Sequence, residues 1–339
     1  MKFGLMTDVS AGSRAGAKGF ASAQNLQTFG DYICEAEALG FNSVFLVEHH
    51  FTGNGQVSSS LSVLAYLAGR TSTIRLGTSV VVLPWHNPVL LAEQIATIDQ
   101  LSGGRFDFGV GKGYRPHEFA GFRISPDEAA ARYEEILAFC KQAWSTRERF
   151  DHRGEFWEFD DIVIDPAPSQ TPRPPIWVGA TSEASTVKAG RNGHRLLLDQ
   201  IAAPDLIGTR IAQYSEAAAE AGNVVPPQSV AVNRALRLVD NDEDLRRAHA
   251  DRARQLDALG AQTGTRWASF TERGNLPTGT AEEAVADEAA LIGYPEDVVK
   301  RLKVLEDLGV DYVLLADFSA EPDSLRTFAE QVMPHLGDD

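Results

Sequence analysis

The strongest constraint on the fold is a unit spanning residues 74–114. It reads strand, short loop, helix, turn and strand, and each strand closes on polar or glycine-rich residues. Residues 74–83 (IRLGTSVVVL) are β-branched and aliphatic almost without polar interruption, the pattern of a strand covered on both faces of a parallel sheet. Pro84, Asn87 and Pro88 break it, and Pro88 suits the first turn of a helix over 89–101, where a missing N–H costs little. Ser102-Gly103-Gly104 ends that helix, and 106–110 is the next strand, running into Gly111-Lys112-Gly113-Tyr114. Two strands joined through a helix make a βαβ unit, which requires a parallel sheet.

The rest of the chain repeats this rhythm. Strands are expected at 2–7, 43–47, 176–179, 195–198, 230–239 and 310–315, with helices at 25–39, from Ser58–Ser60 to Arg70, from Ser125 to about Trp144, and over 205–221. Residues 150–164 alternate around Arg153-Gly154 and read as a hairpin outside the main sheet. Residues 8–24 are small and polar, a long loop after the first strand, and a loop also follows Tyr114. The longest connection, about 240–294, holds a charged helix, then the polar run 260–280, then a helix from about residue 281. That polar run, with Trp267 and Phe270 as its apolar exceptions, is a candidate lid. Eight strands alternating with helices give a single α/β domain over residues 1–339, a (β/α)₈ TIM barrel with insertions, the longest between strand 7 and helix 8. A doubly wound open sheet fits less well, since no GxGxxG follows the first strand.

A formal charge of −16 argues against nucleic acid or an anionic membrane as partner, so an anionic ligand would need local donors such as helix N-termini and a few cations. Two isolated cysteines, Cys34 and Cys140, make neither a disulfide framework nor a zinc site; with no signal peptide and no transmembrane run, a cytoplasmic location is expected.

In a barrel the active site lies at the C-terminal ends of the strands. Those ends present Thr7 and Asp8, Glu48-His49-His50, Ser79 to His86, Lys112-Gly113-Tyr114, Gly179 to Ser182, Asp199, and Asn233 or Arg234. Adjacent strand residues face opposite sides, so at most one of His49 and His50 faces the axis. From the residues alone each is as readily structural as catalytic, and no spacing suggests a metal. Gly179-Ala180-Thr181-Ser182-Glu183 opens a helix at a strand end. It is either an ordinary N-cap or a phosphate cradle of small residues and free N–H groups, and Lys112 aimed at the same face favours phosphate.

Glu48-His49-His50-Phe51, then residues 76–88 (LGTSVVVLPWHNP), residues 99–114 (DQLSGGRFDFGVGKGY) and residues 175–180 (PIWVGA), in that order, resemble the bacterial luciferase family of flavin-dependent oxidoreductases. The resemblance implies a barrel that binds reduced FMN, commonly supplied by a separate flavin reductase, and oxygenates a small organic substrate through a flavin 4a-hydroperoxide. It implies that His49 is the catalytic histidine and that Ser79–Val80 is a non-prolyl cis peptide under the isoalloxazine ring. Lys112 stands where the luciferases have arginine, and it keeps the charge without the bidentate fork. Lys112, Tyr114, Gly179, Ala180, Thr181 and Ser182 would complete the cofactor site, and a homodimer is expected. A flavin or deazaflavin hydride-transfer enzyme on the same barrel, or a flavin-binding protein without catalysis, is the alternative.

Overall fold

The apolar runs of the sequence are short, ten residues or fewer, and none can bury both faces alone. The computed structural model, which describes residues 1–7, 23–53, 58–263, 289–318 and 322–336, solves this by closing them into a ring. β1 (Lys2–Thr7) is followed by α1 (Ala23–Ala38), β2 (Ser43–Leu46), α2 (Ser60–Ala68), β3 (Arg75–Thr78), the short β4 (Val81–Val82) and α3 (Pro88–Leu101). Then come β5 (Phe106–Gly111), α4 (Pro116–Phe122), α5 (Ala129–Ser145), the hairpin β6 (Phe150–Arg153) and β7 (Glu158–Ile162), β8 (Ile176–Ala180), α6 (Glu183–Arg191), β9 (Arg195–Leu198) and α7 (Pro204–Glu220). The last elements are β10 (Val230–Leu238), α8 (Asp242–Thr263), β11 (Leu291–Gly293), α9 (Pro295–Asp307), β12 (Tyr312–Asp317) and α10 (Pro322–Gln331).

Strands β1, β2, β3, β5, β8, β9, β10 and β12 pair in parallel in that order, and β12 pairs back onto β1, so eight strands form a closed barrel. The TIM-barrel expectation is met. The barrel interior is filled by Phe45, Trp177, Leu197, Ala231, Tyr312 and Leu314. Toward the N-terminal end Asp107, 1% exposed, takes hydrogen bonds from Arg75 Nε at 2.6 Å and Trp177 Nε1 at 3.0 Å. A much larger apolar layer lies between strands and helices. The 150–164 hairpin forms its own two-stranded sheet, as expected.

Several boundaries differ from the sequence reading. Residues 74–83 are not one strand: β3 ends at Thr78, the Ser79–Val80 peptide is cis, β4 takes Val81 and Val82, and Leu83–Trp85 form a 3₁₀ turn. The loop expected after Tyr114 contains α4, which starts on Pro116 and carries Glu118 in its first turn. In the long connection α8 runs to Thr263 and so absorbs the start of the 260–280 run. β11, not foreseen from the sequence, pairs with the overhang of the nine-residue β10, and a helix begins at Pro295; the start of the helix expected from about residue 281 lies outside the described residues. The rest of the candidate lid, with Trp267 and Phe270, and most of the 8–24 loop lie outside the described residues. No helix among the described residues is long and apolar enough to cross a membrane.

One contact in the barrel wall leaves no room for a side chain. Thr78 Oγ1 donates to Gly109 O at 2.7 Å and accepts from Gly109 N at 2.9 Å, which locks β3 against β5. A Cβ on Gly109 would lie 1.6 Å from the Thr78 carbonyl oxygen, a backbone atom that cannot turn away. Gly109→Ala is therefore expected to destabilise the fold by about 3 kcal/mol or more, read as a lower urea midpoint; an unchanged midpoint would refute the locked contact.

Candidate active site

The site grows from the exits of β2, β3 and β5. Past Leu46 the chain leaves the sheet, and Glu48 turns into the protein at 3% exposure. A buried carboxylate is costly unless its oxygens are matched. Here Oε2 accepts from Val82 N at 2.7 Å, while Oε1 accepts from His50 Nε2 at 2.8 Å and His86 Nε2 at 2.9 Å. Burial alone would raise the Glu48 pKa, but the hydrogen bonds from His50, His86 and Val82 overcome it and hold it at about 2. His50 Nε2 is thereby engaged by Glu48, and its ring packs edge-on against Phe122 at 4.8 Å.

His49 has a different partner. Its Nδ1 lies 3.2 Å from Glu118 Oε1, contributed by α4, and the same oxygen accepts from His50 N at 2.9 Å. An ionised carboxylate can only accept, so Nδ1 carries the proton and Nε2 is the nitrogen left to exchange one. Burial works to raise the Glu118 pKa, and the His49 and His50 hydrogen bonds outweigh it and lower it. The Tyr114 ring, more than half exposed, stands perpendicular to His49 with centroids 6.3 Å apart. α4 is held in place by aromatics: Trp85 meets Phe119 edge-on at 4.5 Å and stacks on Phe122 at 5.0 Å.

The cis peptide has its own bed. Ser79 Oγ approaches Met6 Sδ at 3.3 Å, and Val80 leans over two glycines. A Cβ on Gly111 would lie 2.5 Å from Val80 Cγ2, and one on Gly179 would lie 3.5 Å from Val80 Cγ1. Gly179 is exposed at the end of β8, whereas the Ala180 side chain is buried and can offer a ligand only backbone.

β8 exits through Thr181 to Ser182, which caps α6. Ser182 Oγ accepts from Ser185 N at 3.3 Å and Ser185 Oγ accepts from Ser182 N at 3.2 Å, a reciprocal capping box. The Thr181 carbonyl accepts from Arg210 Nη2 at 2.7 Å, which fixes the turn from α7. Lys112, Gly179, Ser182 and Ser185 line one cavity of about 210 Å³. Thus Lys112, Gly179 and Ser182, named from the sequence, come together, and His49 with Tyr114 forms a second group on the same face. Thr181 and Ala180 do not line the cavity. Sequence reading missed Ser185, Glu118 and Arg210; only the first left a local signal, the Ser182-x-x-Ser185 spacing of a cap.

The donor set suits a flavin mononucleotide. Hydroxyls, a helix N-terminus and a lysine can take a phosphate, and the glycine bed around Val80 leaves room beside the cis peptide.

Comparison with known proteins agrees with this geometry. The family model for luciferase-like monooxygenases matches residues 1–312, and the chain belongs to that family. Among its relatives, the oxygenase component of flavin-dependent trigonelline monooxygenase from Acinetobacter baylyi is 28% identical over 89% of this chain and 88% of its own. The FMNH2-dependent dimethylsulfone monooxygenase of Pseudomonas putida is 28% identical over 88% and 85%. An uncharacterized Sinorhizobium fredii protein, y4vJ, is 37% identical, but the match spans 48% of this chain and 46% of that protein. The crystal structure of monooxygenase RslO1 from Streptomyces bottropensis superposes with a TM-score of 0.83 at 26% identity, covering 99% of this chain and 100% of that one.

Proposed function

We propose that this chain is the oxygenase of a two-component system, which takes reduced FMN from a separate flavin reductase and uses dioxygen to oxygenate a small organic molecule. The carrying observation is the pair of groups on one barrel face: the His49–Glu118 couple beside Tyr114, and the Ser182–Ser185–Lys112 corner. The names of the trigonelline and dimethylsulfone relatives support the flavin, and that of the trigonelline relative, an oxygenase component, supports the division into components. Bound reduced flavin supplies the electrons that activate dioxygen. The protein's part is to hold the phosphate with Lys112, Ser182 and Ser185, to seat the ring by Val80, Gly111 and Gly179, and to keep a proton-exchanging imidazole at His49.

Anaerobic titration with reduced FMN, reduced riboflavin and a reduced deazaflavin, followed by oxygen and substrate, tests the reading. FMN is expected to bind at least about tenfold more tightly than riboflavin, because charge-assisted hydrogen bonds to the phosphate are strong. Equal dissociation constants would overturn the phosphate corner. Substrate turnover with the deazaflavin and none with FMN and oxygen would give hydride transfer instead.

A further inference from the structure

α6 packs closely on α7, where a Cβ on Gly190 would lie 2.4 Å from Tyr214 O, but it stands off from α5. The cavity fills that gap. It starts at Ser182, the N-cap of α6, and ends at Asn192 and His194 beyond the helix's last residue. Nine helical residues rise about 14 Å, so a phosphate at the Ser182–Lys112 corner does not reach the far end. The floor there is apolar, with Leu137, Val178 and Ala189, and an ion pair between Lys188 Nζ and Glu134 Oε1 at 2.6 Å bridges α6 to α5 at the rim.

The far end has the chemistry of an anion site. His194 is 3% exposed and lines the cavity, yet its Nε2 has no hydrogen-bond partner. Buried polar atoms are almost always matched, so this nitrogen is an exception needing a ligand. Lys188 on α6 lines the same cavity, ion-paired to Glu134 on α5, and the positive charges of Lys141 on α5 and Arg173 on the connection before β8 also act on the ring. Burial first, then repulsion by Lys141, Arg173 and Lys188, pushes the imidazole down to about 4. Lys141 is also pushed down, by burial and by Arg173. This concentration of positive charge occurs in a chain of net charge −16.

We propose that the far end of the cavity is a second oxyanion subsite, where His194 and Lys188 hold a phosphate-sized anion separate from the flavin phosphate. The inference rests on the flavin phosphate occupying the Ser182–Lys112 corner. The anion is free inorganic phosphate, whose oxygens can accept from both donors.

The experiment is a calorimetric and NMR titration of the full chain with inorganic phosphate, alone and saturated with FMN, reading the His194 ring resonances. The FMN-loaded protein is expected to bind one phosphate and to shift His194. His194→Gln should weaken that phosphate at least about tenfold while FMN affinity stays within about twofold. Lys188→Gln, expected to weaken phosphate similarly, serves if His194→Gln does not fold. No phosphate uptake by the FMN-loaded chain, or equal uptake by both variants and the parent, overturns the subsite. If instead FMN and riboflavin bind alike, the corner assignment has failed, and that result is read independently of the phosphate titration.

Discussion

His49→Ala is expected to lower product formation by roughly 10²- to 10⁴-fold, the usual contribution of a positioned proton-transfer group. FMN affinity should stay near that of the parent, because His49 lies in the Glu118 group and not among the residues lining the phosphate cavity. His49 is 14% exposed and makes one side-chain hydrogen bond, so the melting temperature should also change little. Glu118→Gln supplies the graded case. The amide can still accept from Nδ1 but no longer fixes which ring nitrogen carries the proton, so turnover should fall by less than in His49→Ala while the fold persists. Single-turnover measurements with substrate, made across a pH series, check both variants. Full turnover by His49→Ala with loss in His50→Ala would reverse the assigned roles.

Glu48→Ala is expected to cost about 3–5 kcal/mol of stability, as for a buried charge network broken at its centre. Three donors, from His50, His86 and Val82, converge on that one carboxylate, and alanine leaves all of them unmatched. The parent should show the same network through pH. The folded pKa of about 2 lies below the ordinary value of 4.5, so the carboxylate's stabilisation is complete above pH 4.5 and is lost as pH falls toward 2. That shift corresponds to about 3 kcal/mol. Denaturant midpoints across this window should fall steeply for the parent and more gently for Glu48→Gln. Parallel curves for the two would mean that the network carries no net stability.

The barrel was legible because parallel strands covered on both faces read as apolar runs, such as 44–47 and 196–198, ended by polar residues at the chemical face. The break at Ser79–Val80 was not legible from composition: aliphatic residues continue on both sides of it, and only the resemblance pointed to the cis bond. α4 has seven residues, too few for a period to emerge, and β11 has three that pair only with the overhang of β10. The site divided along the same line. His49 and Ser182 stand in local patterns, but Glu118 reaches His49 across 69 residues and Arg210 reaches Thr181 across 29. No local spacing encodes such pairs; they exist only once the ring has closed.

That closure also orders events in time. β1 precedes every other strand of the barrel in the chain, yet one of its two neighbours is β12, where Lys2 pairs with Tyr312 and Leu5 with Leu315. During translation its second edge must wait, without that partner, until the other seven strands of the barrel have left the ribosome. Contacts of such long sequence separation fold slowly and expose strand edges meanwhile. The nascent chain is therefore most prone to associate with other chains, and most dependent on chaperones, in the interval before β12 emerges.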